Sequence, residues 1–223
     1  MTDAAAKPAF PAMSIEQAHA LLTAPGTMLE VGEAEVRGIR MKVWKNAPPT
    51  LREVFALGGM FAGRDHLVFE DERASIGAFR AAAAKFAHQL IADGVKPGDR
   101  VAVIMRNLPE WPVAFWGAVL AGAIATPLNA WWTGPELEYG LKNSGTSIAI
   151  MDVERYERVR EHLDACPDLR KIYVSRSREE IADPRVSRME NVIGATNDWA
   201  SLGDIAPPDV AFGPDTDVAI FYT

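Results

Sequence analysis

Four short groups of residues in this chain are of types that contact ligands: Arg106-Asn107, Asn129 to Trp132, Met151-Asp152 and Tyr222-Thr223. Each group comes directly after a run of apolar residues that is typical of a buried strand. If those strands are parallel, their carboxyl ends meet at one edge of the sheet, where open α/β sheets bind their ligands. The groups supply no nucleophile–histidine–acid set, no paired carboxylates and no metal cluster. We therefore expect a binding edge, and we assign no catalytic residue and no metal ligand.

The same residues also have purely structural interpretations. Asn107 and Thr133 stand where helix caps are expected. Arg106 precedes Glu110 by four residues, a spacing that allows a surface ion pair. Trp131 and Trp132 can pack against a neighbouring helix or against another domain. The sequence leaves both kinds of interpretation open.

The remaining reactive side chains show no pattern of a catalytic or metal site. Cys166 is the single cysteine, so it forms no internal disulfide, and we expect a reducing cytoplasm. We interpret it as a small buried residue near a helix end. No metal-ligand spacing relates the four histidines, which we take to be structural or solvated: His19, His66, His88 and His162. No G-x-G-x-x-G follows a predicted strand, which argues against a dinucleotide-dependent dehydrogenase.

The elements that must position these groups alternate between strands and helices from about residue 64 onward. The predicted strands cover residues 66–71, 101–105, 123–128, 147–151, 171–175 and 217–222. The predicted helices cover 77–92 and the stretches that begin after Asn107, Thr133 and Asp152. This alternation predicts an α/β fold with a mostly parallel, doubly wound sheet flanked by helices. Residues 176–214, which are rich in Pro, Asp and Gly, are expected to be irregular.

The amino-terminal part of the chain has a different pattern. Ser14 and Gln17 form a capping-box signature for a first helix, which Pro25-Gly26 ends. Alternating polar and apolar residues on both sides of Arg37-Gly38 predict a β-hairpin. We therefore predict an extension of helix plus hairpin at 1–49 and an α/β subdomain at 50–223, whose first helix is capped by Thr50 and Glu53.

Charge and hydropathy exclude several classes of partner. The net charge of −7 argues against nucleic acid, which requires a basic surface. Residues 111–134 carry no charge and are long enough to cross a bilayer. Pro112, Gly117, Gly122 and Pro127 interrupt that stretch, so we interpret it as a buried helix followed by a buried strand and expect no transmembrane span. The opening residues, MTDAAAKPAFPAM, show no secretory signal.

Several segments in order resemble one family. Residues 94–152 contain GVKPGDRVAVIM, NLPEW and AGAIATPLN, and residues 215–223 read DTDVAIFYT. Over residues 50–223 the chain resembles the amino-terminal part of the adenylate-forming superfamily, most closely bacterial fatty-acyl-CoA ligases. The final Tyr-Thr is similar to the opening of that family's phosphate-binding loop, YTSGTTGxPKG. The resemblance implies that Thr223 contacts the nucleotide.

The resemblance also implies an activity. Such an enzyme joins a small-molecule carboxylate, here a fatty or other hydrophobic acid, to coenzyme A with consumption of ATP and Mg²⁺. The family's other nucleotide, metal and catalytic positions follow Thr223, so we expect this chain alone to be inactive. Arg155 and Arg158 stand where they could reach a coenzyme A phosphate, but we favour the interpretation that they belong to a solvated charged helix face. A possible homodimer is also expected.

Two other interpretations remain. A catalytically dead α/β module could dock a partner through its terminal strand and Trp131-Trp132. A membrane-associated protein could use residues 111–134.

Overall fold

The computed structural model describes residues 12–222. Residues 1–11, which carry most of the expectation about a secretory signal, and Thr223 lie outside that range. Within it, contacts divide the chain into two compact units, one ending at Pro49 and the other beginning at Thr50. That the two units are separate domains, with the bounds 1–49 and 50–223, stays a prediction.

The first unit contains the predicted helix and hairpin. Helix α1 (Ile15–Leu22) begins with the expected capping box, in which the Ser14 hydroxyl accepts from the Gln17 backbone N–H at 3.2 Å. Strands β1 (Val31–Val36) and β2 (Ile39–Trp44) pair antiparallel. Arg37 and Gly38 both have positive φ, as a two-residue hairpin turn requires. The prediction of helix plus hairpin is confirmed.

The second unit is built on one five-stranded sheet in which all neighbouring strands are parallel. Its strands are β5 (Arg100–Ile104), β6 (Ile124–Pro127), β7 (Thr146–Asp152), β8 (Lys171–Ser175) and β9 (Val186–Arg188), in the order β6-β5-β7-β8-β9. A separate antiparallel hairpin consists of β3 (Asp65–Phe69) and β4 (Glu72–Ser75). The sequence predicted β3 as a single strand and missed β4.

Helices cover both faces of this sheet. The helices of the unit are α2 (Leu51–Leu57), α3 (Ile76–Ala92), α4 (Glu110–Leu120), α5 (Gly134–Ser144), α6 (Val153–Val159) and α7 (Glu190–Ile193). Val101 and Val103 of β5 join the hydrophobic cluster of α3 and α4, whereas Ala102 and Ile104 join that of α5 and α6. Because alternate strand residues point to opposite faces, the sheet is doubly wound, and the predicted α/β fold is confirmed.

The uncharged stretch from residue 111 to 134 divides as predicted into a helix and a strand. Helix α4 ends at Leu120, and Gly122, with φ of 81°, turns the chain into β6. Within residues 12–222, no helix combines the length and the apolar character that a bilayer crossing needs.

Two predictions about the carboxyl-terminal part were wrong. Residues 176–214 contain β9, α7 and a 3₁₀ helix at Thr196–Leu202, elements too short to show a periodicity in the sequence. The strand predicted at 217–222 is reduced to one parallel bridge between Ala125 and Ala219. Phe221, expected in a buried strand, is 68% exposed.

Candidate functional site

The carboxyl ends of three neighbouring strands, β5, β6 and β7, form one polar edge. The connection that leaves β5 runs over one face through α4, and the connection that leaves its neighbour β7 runs over the other face through α6. The boundary between β5 and β7 is therefore the switch point at which sheets of this kind bind ligands. Arg106, the loop 129–132 and Asp152 follow or end these strands. Three of the four predicted groups thus come together at this edge.

Asp152 ties two of the strand ends together. Its carboxylate accepts a hydrogen bond from the backbone N–H of Arg106, at 3.1 Å, and caps α6 by accepting from the N–H of Arg155, at 3.0 Å. Backbone donors and a cation satisfy this carboxylate, although its side chain is only 5% exposed. The predicted cap is confirmed, and Asp152 acts as a structural junction at the switch point.

Arg155 is buried, with 2% of its side chain exposed, which contradicts the interpretation of a solvated helix face. Its Nη1 lies 3.1 Å from Asp152 Oδ1, and its Nε donates to the carbonyl of Ala130 at 3.0 Å. Arg158, which is partly exposed, donates from Nη1 to the carbonyls of Ala130 and Trp132 at 3.0 and 3.2 Å. The two arginines hold the loop after β6. The guanidinium of Arg155 thus has its partners within the chain, which also include the exposed carboxylate of Glu154 at 2.9 Å.

Arg106 lies against an aromatic ring. Its guanidinium carbon is 4.0 Å from the ring centroid of Trp131, a cation–π contact. The expected pair with Glu110 is wrong, because the Glu110 carboxylate binds Arg176 at 3.0 Å. Trp131 is 66% exposed, so this tryptophan covers no neighbouring helix.

The two predicted caps have different outcomes. Thr133 caps α5 through a capping box, in which its N–H donates to Glu136 Oε2 at 2.7 Å. Asn107 is not a cap, because α4 begins at Glu110 with Pro109 in the N-cap position and no side-chain cap.

The second tryptophan of the loop packs inward, as the sequence allowed. The ring of Trp132 meets that of Tyr222 edge-to-face, with centroids 5.9 Å apart. The Tyr222 hydroxyl donates to Asn143 Oδ1 at 2.9 Å. Upstream, Ala125 N–H donates to Val218 at 2.9 Å, and Ile220 N–H donates to Ala125 at 3.0 Å. The segment before Thr223 is therefore fixed beside β6, and it ends next to the loop 129–132.

A second charged cluster lies at the ends of β8 and β4. Arg176 Nη2 lies 2.8 Å from Glu72 Oε2 and 3.0 Å from Glu110 Oε1. Burial raises the pKa of Glu110 above its ordinary value, in spite of the bond from Arg176. Burial also opposes ionisation of Glu72, but the hydrogen bonds and the charge of Arg176 leave the pKa of that carboxyl below its ordinary value. No local sequence pattern predicts this cluster, because Glu72 and Arg176 are 104 residues apart along the chain.

The other reactive residues have structural partners. Cys166 is buried, 4% exposed, and burial raises the pKa of its thiol. His162 Nδ1 lies 2.8 Å from Glu138 Oε2, and His88 Nε2 lies 2.9 Å from the carbonyl of Ala206. In the part of the chain that the structure describes, no three His, Cys, Asp or Glu side chains are grouped so that they could hold a metal ion.

An open parallel sheet, wound on both faces and polar at its switch point, defines a ligand-binding domain of the α/β class. The family model of AMP-binding enzymes matches residues 58–223, about three quarters of the chain. The chain belongs to this family of AMP-binding enzymes, and the resemblance seen in the sequence is confirmed.

Relatives and solved structures agree with this membership. A medium/long-chain-fatty-acid–CoA/3-oxocholest-4-en-26-oate–CoA ligase of Mycolicibacterium smegmatis is 32% identical over 160 residues, which are 70% of this chain and 27% of the relative. The long-chain-fatty-acid–CoA ligase FadD13 of Mycobacterium tuberculosis is 38% identical over 80 residues, 36% of this chain and 16% of the relative. Coronafacic acid ligase from Pectobacterium brasiliense shares the fold, with a TM-score of 0.64 over 76% of this chain and 33% of that chain, at 20% identity. The match spans about a quarter or less of the curated relatives' length.

Proposed function

We propose that this chain is the amino-terminal part of an ATP-dependent acyl-CoA ligase. The observation that carries the proposal is the family match, which covers residues 58–223. The convergence of the polar strand ends at one edge supports it, because open α/β sheets bind nucleotides and other ligands at such an edge. We assign Thr223 as the first residue of the phosphate-binding loop.

The proposed reaction has two steps. A carboxylate oxygen attacks the α-phosphorus of ATP, and pyrophosphate leaves with its charge neutralised by Mg²⁺. The sulfur of coenzyme A then attacks the acyl carbon of the mixed anhydride, and AMP leaves. In this scheme the described residues provide a frame. Asp152 and the two arginines fix the strand ends, and Tyr222 leads to the proposed loop.

The proposed substrate is a hydrophobic carboxylic acid. Support comes from the names of the two mycobacterial relatives, both of which are ligases of fatty acids. A cytoplasmic location and a possible homodimer belong to the same proposal.

The experiment compares two proteins, the product of the complete open reading frame and the chain that ends at Thr223. Pyrophosphate release is measured with ATP, Mg²⁺ and a panel of fatty acids, and thioester formation is measured after addition of coenzyme A. We expect both activities in the complete product, and neither activity nor tight ATP binding in the chain of 223 residues. Micromolar ATP affinity of the 223-residue chain would contradict the expected inactivity. A complete product that releases no pyrophosphate with any acid would favour the alternative of a partner-binding module.

A further inference from the structure

Tyr222, the residue before the proposed phosphate-binding loop, is held by side chains of other elements. Its hydroxyl donates to Asn143 Oδ1 at 2.9 Å, and its ring packs edge-to-face on Trp132. Consecutive Cα atoms are about 3.8 Å apart, so a displacement of Tyr222 displaces the start of the loop with it.

The packing of Trp132 depends on a residue without a side chain. A Cβ atom at Gly140 would lie 3.1 Å from the Trp132 ring and 2.9 Å from a methyl carbon of Leu128. Gly140 thus allows the indole to lie close to α5, in contact with Tyr222. Arg158 fixes the same tryptophan from the other side by donating to its carbonyl at 3.2 Å.

Asn143 has no evident part in building α5. The helix is ended by Gly145 in the left-handed conformation, with φ of 64°, and its backbone N–H bonds back into the last turn. The Asn143 side chain is exposed. Its one described hydrogen bond is the one that it accepts from Tyr222. A contribution to loop position explains this contact better than a contribution to helix stability.

We propose that Asn143 is a positioning residue for the nucleotide phosphates, and that it acts by holding Tyr222 at the entrance of the phosphate-binding loop. Trp132 supports Tyr222 from the side of the ring. This inference rests on the proposed function. It assigns to the end of α5 a role in ATP affinity, and no role toward the carboxylate or coenzyme A.

The test uses steady-state kinetics of the complete enzyme. Asn143→Ala and Tyr222→Phe should each raise the KM for ATP about three- to ten-fold, the range that corresponds to the loss of one hydrogen bond. The KM for the carboxylate should stay unchanged. Tyr222→Phe also removes the longer bond from the hydroxyl to the Gly140 carbonyl, at 3.5 Å, so the double variant should resemble Tyr222→Phe. Asn143→Asp keeps an acceptor oxygen and should restore the KM for ATP.

The matched control is Tyr139→Phe, which removes a hydroxyl from a 61% exposed tyrosine of the same helix and should change nothing. An unchanged KM for ATP in Asn143→Ala overturns the inference. A uniform fall of kcat together with a lower Tm, with the KM for ATP unaltered, also overturns it by showing a merely structural role. A wild-type enzyme without adenylation activity overturns the proposed function first, and the inference with it.

Discussion

Replacement of Arg155 by methionine should destabilise the protein by about 3–5 kcal/mol, the usual effect of breaking a buried ion pair from one side. The Arg155 and Asp152 side chains are 2% and 5% exposed, and their nearest N and O atoms lie 3.1 Å apart. After the change, the buried Asp152 carboxylate would keep its two backbone N–H donors. It would lose the guanidinium that now neutralises its charge. The carbonyl of Ala130 would keep its bond from Arg158. Most of the loss therefore comes from the uncompensated charge.

The assay is urea unfolding monitored by far-UV circular dichroism. Free energies of unfolding are compared only between variants whose m-values agree. Asp152→Asn removes the charge but keeps a good N-cap residue. The double variant should be more stable than the sum of the two single effects predicts, by more than about 1 kcal/mol. The control is Arg160→Met, which breaks an exposed pair with Glu157 and should cost less than about 1 kcal/mol. A loss below about 1 kcal/mol for Arg155→Met, or strict additivity in the cycle, would refute the reasoning.

Two further predictions concern titration and reactivity. Burial raises the pKa of Glu110 above its ordinary value of 4.5, so the wild type should lose stability relative to Glu110→Gln as the pH rises from 4.5 through the folded pKa. The pKa of Glu72 is lowered, so the wild type should lose stability relative to Glu72→Gln as the pH falls from 4.5 through the folded pKa. Urea midpoints measured above and below pH 4.5 check both signs. The stability difference between wild type and variant should fall with rising pH for Glu110 and rise with rising pH for Glu72. Burial protects the Cys166 thiol and raises its pKa, so a thiol reagent should label it slowly in the native protein and fast in urea, and equal rates would contradict the structure.

The parts of the fold that were predictable depend on local chemistry. Ser14 and Thr50 each form the capping box that was predicted from the Gln or Glu three positions later. The central strands are continuous apolar runs because both of their faces are covered, and such runs are visible in a sequence. Local signals failed where another local constraint overrode them. Asn107 is a good cap residue, but Pro109 follows it in the N-cap position of α4.

The convergence of the polar strand ends was predictable from the sequence, but the contacts of their side chains were not. Arg106 has Glu110 at a suitable spacing, yet Glu110 binds Arg176, which is 66 residues further along the chain. Arg155 looked like part of a charged surface, but the loop 129–132 covers it and uses its donors. The first outcome depends on the arrangement of β8 relative to α4, and the second on that of β6 relative to α6; side-chain spacing encodes neither.

The two tryptophans of the loop after β6 make different contacts, and the anchoring of the loop backbone explains why. Arg155 and Arg158 bind the carbonyls on both sides of Trp131, at Ala130 and Trp132. With the backbone fixed at those two points, the side chain of Trp131 lies outside, over Arg106, and that of Trp132 lies inside, against Tyr222. The buried arginines thus act on the segment that leads to Thr223 without touching it. If this is correct, Arg158→Met should weaken the Trp132–Tyr222 contact indirectly, although Arg158 touches neither ring.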